Sequence, residues 1–518
     1  MPRNITILDT TLRDGAQSEG VSFSLEDKHR AARELDRLGV NIIEGGNPAS
    51  NPKDAAFFAD PPVLSKARLA AFGATRRADS SVDDDPGLAA LLCAKTDMIV
   101  LFGKASLFHA REILRVEPGL NLRMIEESAR FLVERGRTVH FDAEHYFDGY
   151  DHDSGFAREC VNAALRGGAS SVILCDTNGG ALPWRAAEIT RAAVKEWPVP
   201  IGVHCHNDSG LAVANTLFAV EAGASIVHGT FCGVGERCGN ADLCSVLPAL
   251  SAKMGCATDC DDQLPSLTRA ARLIADVMNL EIPSRTPYVG SSAFAHKGGM
   301  HSDGVRKDRR SFEHIDPARV GNARRLLISD QAGRAALLDR LAGIAPDLTR
   351  GDPRLTEIAN RLKLSEQAGY VYEGAEGSFQ LMALRMLGRA EPHFEALDFR
   401  VFCEQPWTRG GAQAYIKIAV NGREEITAAE GDGPVNALDL ALRKALCVFY
   451  PELASVRLVD FKVRVIDGGG TGSTVRVSIE STDGGAVWGT VGVSRNIMEA
   501  CWRALTDSIE YKLSGLTG

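Results

Sequence analysis

From residue 4 to about residue 250 the chain alternates short β-rich runs with longer amphipathic ones, and few architectures accept that pattern. The β-rich runs fall at 5–9, 41–44, 68–74, 98–102, 138–143, 171–175, 201–206 and 225–230. Each is followed by a segment with helical periodicity. Eight such units over about 250 residues predict a closed (β/α)8 TIM barrel, an α/β fold in which helices cover the outer face of a parallel sheet. Local signals agree with the first helix. Ser24 is a good N-cap with Asp27 three residues on; Ala31, Ala32, Leu35 and Leu38 form one apolar face, and Gly39 supplies the stop. Helices are also expected at 121–135 and 209–222, the second ended by Gly223.

Past residue 275 the alternation stops. Pro283, Pro287 and the run Gly298-Gly299-Met300-His301-Ser302-Asp303-Gly304 read as a linker, with helical stretches at 330–343 and 353–368. From about 395 a strand at 415–420 leads to a helix at 436–446, and the same order returns with a strand at 474–479 and a helix beginning near Asn496. A strand-rich unit repeated about 60 residues on predicts an α+β domain with internal pseudo-symmetry. The expected organisation is therefore a barrel at 1–275, a helical linker region at 276–394 and a repeated α+β domain at 395–518.

Composition excludes some functions. The 518 residues are 45% hydrophobic and 24% charged, as in ordinary soluble proteins, and a net charge of -9 argues against nucleic acid as a partner. Twelve cysteines lack CxxC pairing and read as reduced thiols. The N-terminus has no apolar signal core and no run is long enough to cross a bilayer, so the expectation is a cytoplasmic protein without membrane contact.

Barrel enzymes place their chemistry at the C-terminal ends of the strands, and the polar residues sort to those ends: Arg13 and Asp14 after strand one, Glu44, Glu144, Asp176-Thr177-Asn178, His204 and His206, and the loop 233–240. On a strand His204 and His206 face one side while Cys205 faces away, which is metal-ligand spacing. Asp14 would complete an oxygen and nitrogen set suited to Mg²⁺, Mn²⁺ or Zn²⁺. Arg13 offers a fixed fork for a carboxylate or a developing alkoxide. Glu44 ends an apolar strand and needs a partner, for which Arg13 is placed. Glu144 reads as a general base, a positioning group or a surface salt bridge, and Thr177 as a hydroxyl donor to a carboxylate or a loop cap. Asp9 and Asp176 read as loop caps or partners of a cation. The loop 233–240 lacks dinucleotide spacing and a Walker lysine, and reads as a tight active-site loop. The glycine run at 468–472 is a turn as readily as a phosphate cradle, and Cys232 and Cys238 read as inert.

Four stretches carry a resemblance: Asp9-Thr10-Thr11-Leu12-Arg13-Asp14-Gly15-Ala16-Gln17, Glu44-Gly45-Gly46, His204-Cys205-His206-Asn207-Asp208 and Gly233-Val234-Gly235-Glu236-Arg237-Cys238-Gly239-Asn240. Together they resemble the acyl-CoA:2-ketoacid Claisen condensing enzymes, which include 2-isopropylmalate, homocitrate and citramalate synthases. The stretches 142–150 and 430–438 look most like the citramalate branch. The resemblance implies condensation of acetyl-CoA with pyruvate, on the branched-chain amino-acid route, with 2-oxoisovalerate as the alternative ketoacid. It implies Asp14, His204 and His206 as metal ligands with Asn240 as a further ligand or loop anchor, and Arg13, Gln17 and Thr177 at the ketoacid. Glu44 would orient Arg13, Glu144 and His301 are candidates for the base, and His301 would act on a partner subunit. A homodimer and an isoleucine or leucine effector on the C-terminal repeat, which looks like the family's regulatory domain, are also implied.

Overall fold

The computed structural model describes residues 2–296, 301, 304–305, 307–326, 334–349, 351–403 and 411–516. The linker positions 297–300, 302, 303 and 306, and the start of the helix expected at 330–343, lie outside them. The chain divides into two compact units, Met1–Phe294 with His314–Arg324, and Ala295–Glu313 with Arg325–Gly518.

In the first unit eight parallel strands close a barrel in sequence order: β1 Thr6–Asp9, β2 Ile42–Gly46, β3 Arg68–Ala74, β4 Met98–Lys104, β5 Thr138–Glu144, β6 Ser171–Asp176, β7 Ile201–Cys205 and β8 Ile226–Gly229. β1 pairs with both β2 and β8, which removes any sheet edge. The helices between them are α1 Leu25–Leu38, α2 Pro52–Ala59, α3 Pro86–Cys93, α4 Pro118–Glu134, α5 Tyr146–Arg166, α6 Pro183–Glu196, α7 Ala212–Glu221 and α8 Leu243–Ala252. Ser24 caps α1 in a complete capping box with Asp27, and Gly39 ends it in the left-handed conformation. The strands are apolar on both faces, as a sheet sandwiched between barrel interior and helices requires; Ile7, Ile43, Ala71, Ile99, Phe141, Val172 and Val203 are all buried.

Several element ends differ from expectation, and some have a clear local reason. β4 and β5 run on to Lys104 and Glu144, whose side chains pair across the ladder. β7 stops at Cys205 because His206 turns its N–H to Asp176 O and bridges to Asn240 instead. α7 begins at Ala212 rather than 209, since Asn207 and Gly210 first close a turn.

The second unit contains two copies of one arrangement. Antiparallel strands Glu395–Phe402, Ala412–Val420 and Arg423–Gly431 precede a helix at Pro434–Leu446; strands Arg457–Val465, Val475–Thr482 and Val487–Ser494 precede a helix at Ile497–Leu513. Both helices pack into one core with Ile416, Ile418, Leu438, Leu442, Ile479 and Leu505. Asn496 caps the last helix through its side chain. The glycine run at 468–472 is a turn: Asp467 takes the N–H groups of Gly469 and Thr474, which removes donors a phosphate would need. No helix among the described residues is long and apolar enough to cross a membrane.

Candidate active site and metal centre

Asp14, His204 and His206 converge at the C-terminal end of the barrel. His204 Nε2 lies 3.1 Å and His206 Nε2 3.7 Å from Asp14 Oδ2, and the two ring nitrogens are 3.3 Å apart. All three residues are buried. Burial, reinforced by His204, lowers His206 to about 4, so its imidazole is neutral at pH 7 with a lone pair free to bind a cation. Burial opposes ionisation of Asp14, but Arg13 and then the two histidines outweigh it and hold the carboxyl well below its usual range. Asn240 Oδ1 is buried without a partner, while its amide donates to Val234 O. A carboxylate and two imidazoles crowded together, beside an unmatched amide oxygen, form a donor set that fits a divalent cation.

The loop that carries Asn240 is tightly wound. Gly235 has φ 157° and a side chain there would begin 2.2 Å from Asn240 Nδ2; at Gly239, φ 86°, it would meet Gly233 O at 1.9 Å. Arg237 clamps the loop by forking onto Asp208 at 2.8 and 2.9 Å and donating to Thr177 O.

Arg13 Nε donates to Glu44 Oε2 at 2.5 Å, and the Thr10 hydroxyl donates to the same oxygen. The guanidinium lies 3.8 Å from the centre of the Phe72 ring. Burial works against its charge, but Glu44 and Asp14 raise Arg13 above its ordinary value. The 230 Å³ cavity in front of it is lined by Arg13, Asp14, Gln17, Thr177, Glu144, His204 and His206. Thr177 Oγ1 accepts the His145 N–H at 2.8 Å, which leaves the hydroxyl hydrogen to point elsewhere. Glu144 Oε2 lies 2.5 Å from Lys104 Nζ. His301 belongs to the second unit, where its exposed ring stacks on Phe312 with centroids 4.2 Å apart. Asp9 caps Thr11 through its N–H and hydroxyl, and Asp176 accepts from Gly180, Ala181 and Asn215, as loop-capping residues do. Burial raises them to about 7 and about 6.

Comparison with known proteins assigns the family. The HMGL-like family model matches residues 4–274, the homocitrate synthase post-HMGL domain-like model 288–369, and the LeuA allosteric (dimerisation) domain model 373–513. A relative named (R)-citramalate synthase from Aquifex aeolicus is 46% identical over 99% of this chain and 98% of its own length. Another of that name from Geobacter sulfurreducens is 47% identical over 98% and 97%. The chain belongs to the HMGL-like family, in its (R)-citramalate synthase branch. A relative from Methanopyrus kandleri named a probable 2-isopropylmalate synthase is 33% identical over 98% of each chain.

The cavity of this citramalate-branch chain has further lining residues, of which Phe72 escaped the sequence reading. Phe72 and Phe102 stack at 4.9 Å and 10° as one wall. Asp142 lines the floor, buried, and its Oδ1 has no partner; burial and then Glu44 raise it well above the usual carboxylate range. Its separation of two from Glu144 on β5 was the available signal, since alternate strand residues share a face.

Proposed function

We propose that this chain condenses acetyl-CoA with pyruvate and hydrolyses the product thioester to (R)-citramalate and CoA, on the route to isoleucine. The observation that carries the reading is full-length similarity, at 46 and 47% identity, to relatives named (R)-citramalate synthase. The stacked Phe72 and Phe102 form one wall of the cavity, and a ketoacid whose side chain is directed at that wall would have to be small, which supports pyruvate over 2-oxoisovalerate.

Asp14, His204 and His206 would hold Mn²⁺, Mg²⁺ or Zn²⁺, with Asn240 as a further ligand. Such a cation supplies Lewis acidity toward the ketone oxygen of the ketoacid. Arg13, held by Glu44 and Phe72, binds the ketoacid and faces the oxygen on which charge develops. Thr177 donates its hydroxyl hydrogen to the substrate carboxylate, and Gln17 lines the same pocket. Glu144, steadied by Lys104, removes a proton from the acetyl methyl group; His301 is the second candidate for this base. The new carbanion forms a bond to the ketone carbon, whose oxygen becomes an alkoxide beside Arg13 and is protonated. Water then displaces the CoA thiol.

The match of 373–513 to the LeuA allosteric (dimerisation) domain supports a homodimer whose C-terminal repeat binds isoleucine or leucine as a feedback signal. The place of action is the cytoplasm.

Incubation with acetyl-CoA, pyruvate and Mn²⁺, followed by chiral chromatography and titration of free thiol, tests the reading. It requires (R)-citramalate in equal amount to CoA. Thiol release without citramalate would overturn it.

A further inference from the structure

Strand β2 breaks its own alternation where it ends. Against β3, Glu44 pairs with Ala70 and Gly46 with Ala71, so Gly45 is an extra residue and forms a β-bulge. The bulge shows in what side chains there would meet. A Cβ at Gly45 would lie 2.5 Å from the Phe57 ring and one at Gly46 2.5 Å from Asp54 Oδ2, so two consecutive residues face α2. Gly46 also stands at φ 140°, which is open to glycine. Glu44, one residue before the bulge, points the other way, into the barrel mouth, where it receives Arg13. Bulges re-aim side chains in this manner and gather beside active sites.

The bulge is held from outside the barrel. Lys28 of α1 donates from Nζ to Gly45 O at 2.9 Å and pairs with Asp54 Oδ1 of α2. Asp54 Oδ2 in turn accepts the Asn47 N–H at 2.9 Å, and the Asn51 side chain caps α2 by accepting the Asp54 N–H at 2.8 Å. Both charged side chains are buried, at 1% and 7% exposure, and neither lines the cavity in front of Arg13. A buried ion pair adds little net stability over apolar side chains of the same volume, so what this pair contributes is the geometry it imposes on the strand end.

We infer that Lys28 and Asp54 are positioning residues: they fix the Gly45 bulge and, through it, the direction in which Glu44 holds Arg13. The connection is continuous. Lys28 fixes the carbonyl of the residue after Glu44, Asp54 fixes the N–H of Asn47, three residues after it, and Glu44 Oε2 fixes Arg13 Nε at 2.5 Å. Without the Lys28 donor the Gly45 carbonyl turns toward another partner, and no side chain on Gly45 or Gly46 restrains the peptide between them. That rotation swings the Glu44 carboxylate and the guanidinium it carries. Misplacement of a group at the reacting atoms by about 1 Å costs about 100-fold in rate. The effect on turnover rests on the assignment of Arg13 to the ketoacid; the effect on the Arg13–Glu44 hydrogen bond does not.

The test compares the full-length protein with its Lys28→Met/Asp54→Asn variant. Lys28→Met alone would leave Asp54 buried without its cation, whereas the double variant removes both charges at nearly constant volume and keeps the chain folded. Its Tm is expected to stay within a few degrees of wild type while kcat/KM for pyruvate falls about 10–100-fold. In a Glu44→Gln background the same two substitutions should lower kcat/KM by no more than about twofold further, because groups that act through one another are not additive. A second readout does not depend on turnover. In protein labelled with ¹⁵N-arginine, the Arg13 Nε–H resonance, assigned by its absence in Arg13→Lys, should lie far downfield and exchange slowly in wild type, and lose both features in the double variant. An unmoved resonance, an unchanged kcat/KM, or an effect that adds in full to that of Glu44→Gln would overturn the proposal. A resonance that responds as expected in a protein that releases no CoA thiol with any ketoacid would instead refute the reading of the reaction and uphold the positioning of Arg13.

Discussion

Glu44 Oε2 receives both the Arg13 guanidinium, at 2.5 Å, and the Thr10 hydroxyl, so a single buried carboxylate oxygen fixes the cation that faces the cavity. Glu44 is fully buried and Arg13 nearly so. Removing one partner of such a pair leaves the other uncompensated and costs about 3–5 kcal/mol. Glu44→Gln is expected to lower stability by that order in urea unfolding. It should also lower kcat about 100-fold, because Arg13 loses its aim. A variant with lowered stability and unchanged kcat would separate Glu44 from the reaction.

Metal dependence is the second expectation. Exhaustive chelation should abolish turnover, and Mn²⁺ should restore it. His206→Ala should weaken Mn²⁺ binding by more than the ~10–100-fold typical of a supporting residue. Isothermal titration of the apo protein provides the measurement.

Lys104 is expected to act through Glu144. In Lys104→Met the Glu144 carboxylate loses its adjacent cation, while Asp142, two residues away on β5, remains. His109 lies near the same pair, lowered to about 4 by burial and by His145, so it supplies no charge at neutral pH. With Glu144 no longer steadied, kcat at pH 7 should fall about 10–100-fold. Lys104→Arg should restore it. Unchanged kcat in Lys104→Met would leave Lys104 with a packing role alone.

How much of this was legible in the sequence varied with the kind of residue. Arg13, Asp14, His204 and His206 stand out because polar residues interrupt apolar strands at their C-terminal ends, and the alternation of a strand fixes which share a face. The eight barrel strands and the C-terminal repeat were legible for a similar reason, since each unit repeats one periodicity. Phe72 was not, because an aromatic in an apolar strand gives no sign of whether it packs in the core or walls a cavity. The Lys104–Glu144 pairing depends on register between β4 and β5, which single-strand patterns do not contain.

Asp36 gives a stability prediction. Its buried carboxylate accepts from Ser65 N, Ser65 Oγ, Lys66 N and Ala67 N at 2.7–2.9 Å and ties α1 to the entry of β3. Burial opposes the charge, but the three backbone N–H groups outweigh it and lower Asp36 below its ordinary value. A depressed carboxylate stabilises the fold above its unfolded value, ~3.9, and loses that contribution as pH falls through the folded one. Asp36→Asn should cost about 1.5–3 kcal/mol at pH 7, and the gap to wild type should narrow toward pH 3. A gap independent of pH would place the effect in packing rather than charge.

The most direct test of the account is kcat/KM for pyruvate, 2-oxobutyrate, 2-oxoisovalerate and 2-oxoglutarate, with acetyl-CoA and Mn²⁺, followed by release of CoA thiol. The wall of Phe72 and Phe102 predicts pyruvate first, with 2-oxoisovalerate disfavoured by about 100-fold or more. Preference for 2-oxoisovalerate, or no thiol release with any ketoacid, would contradict it.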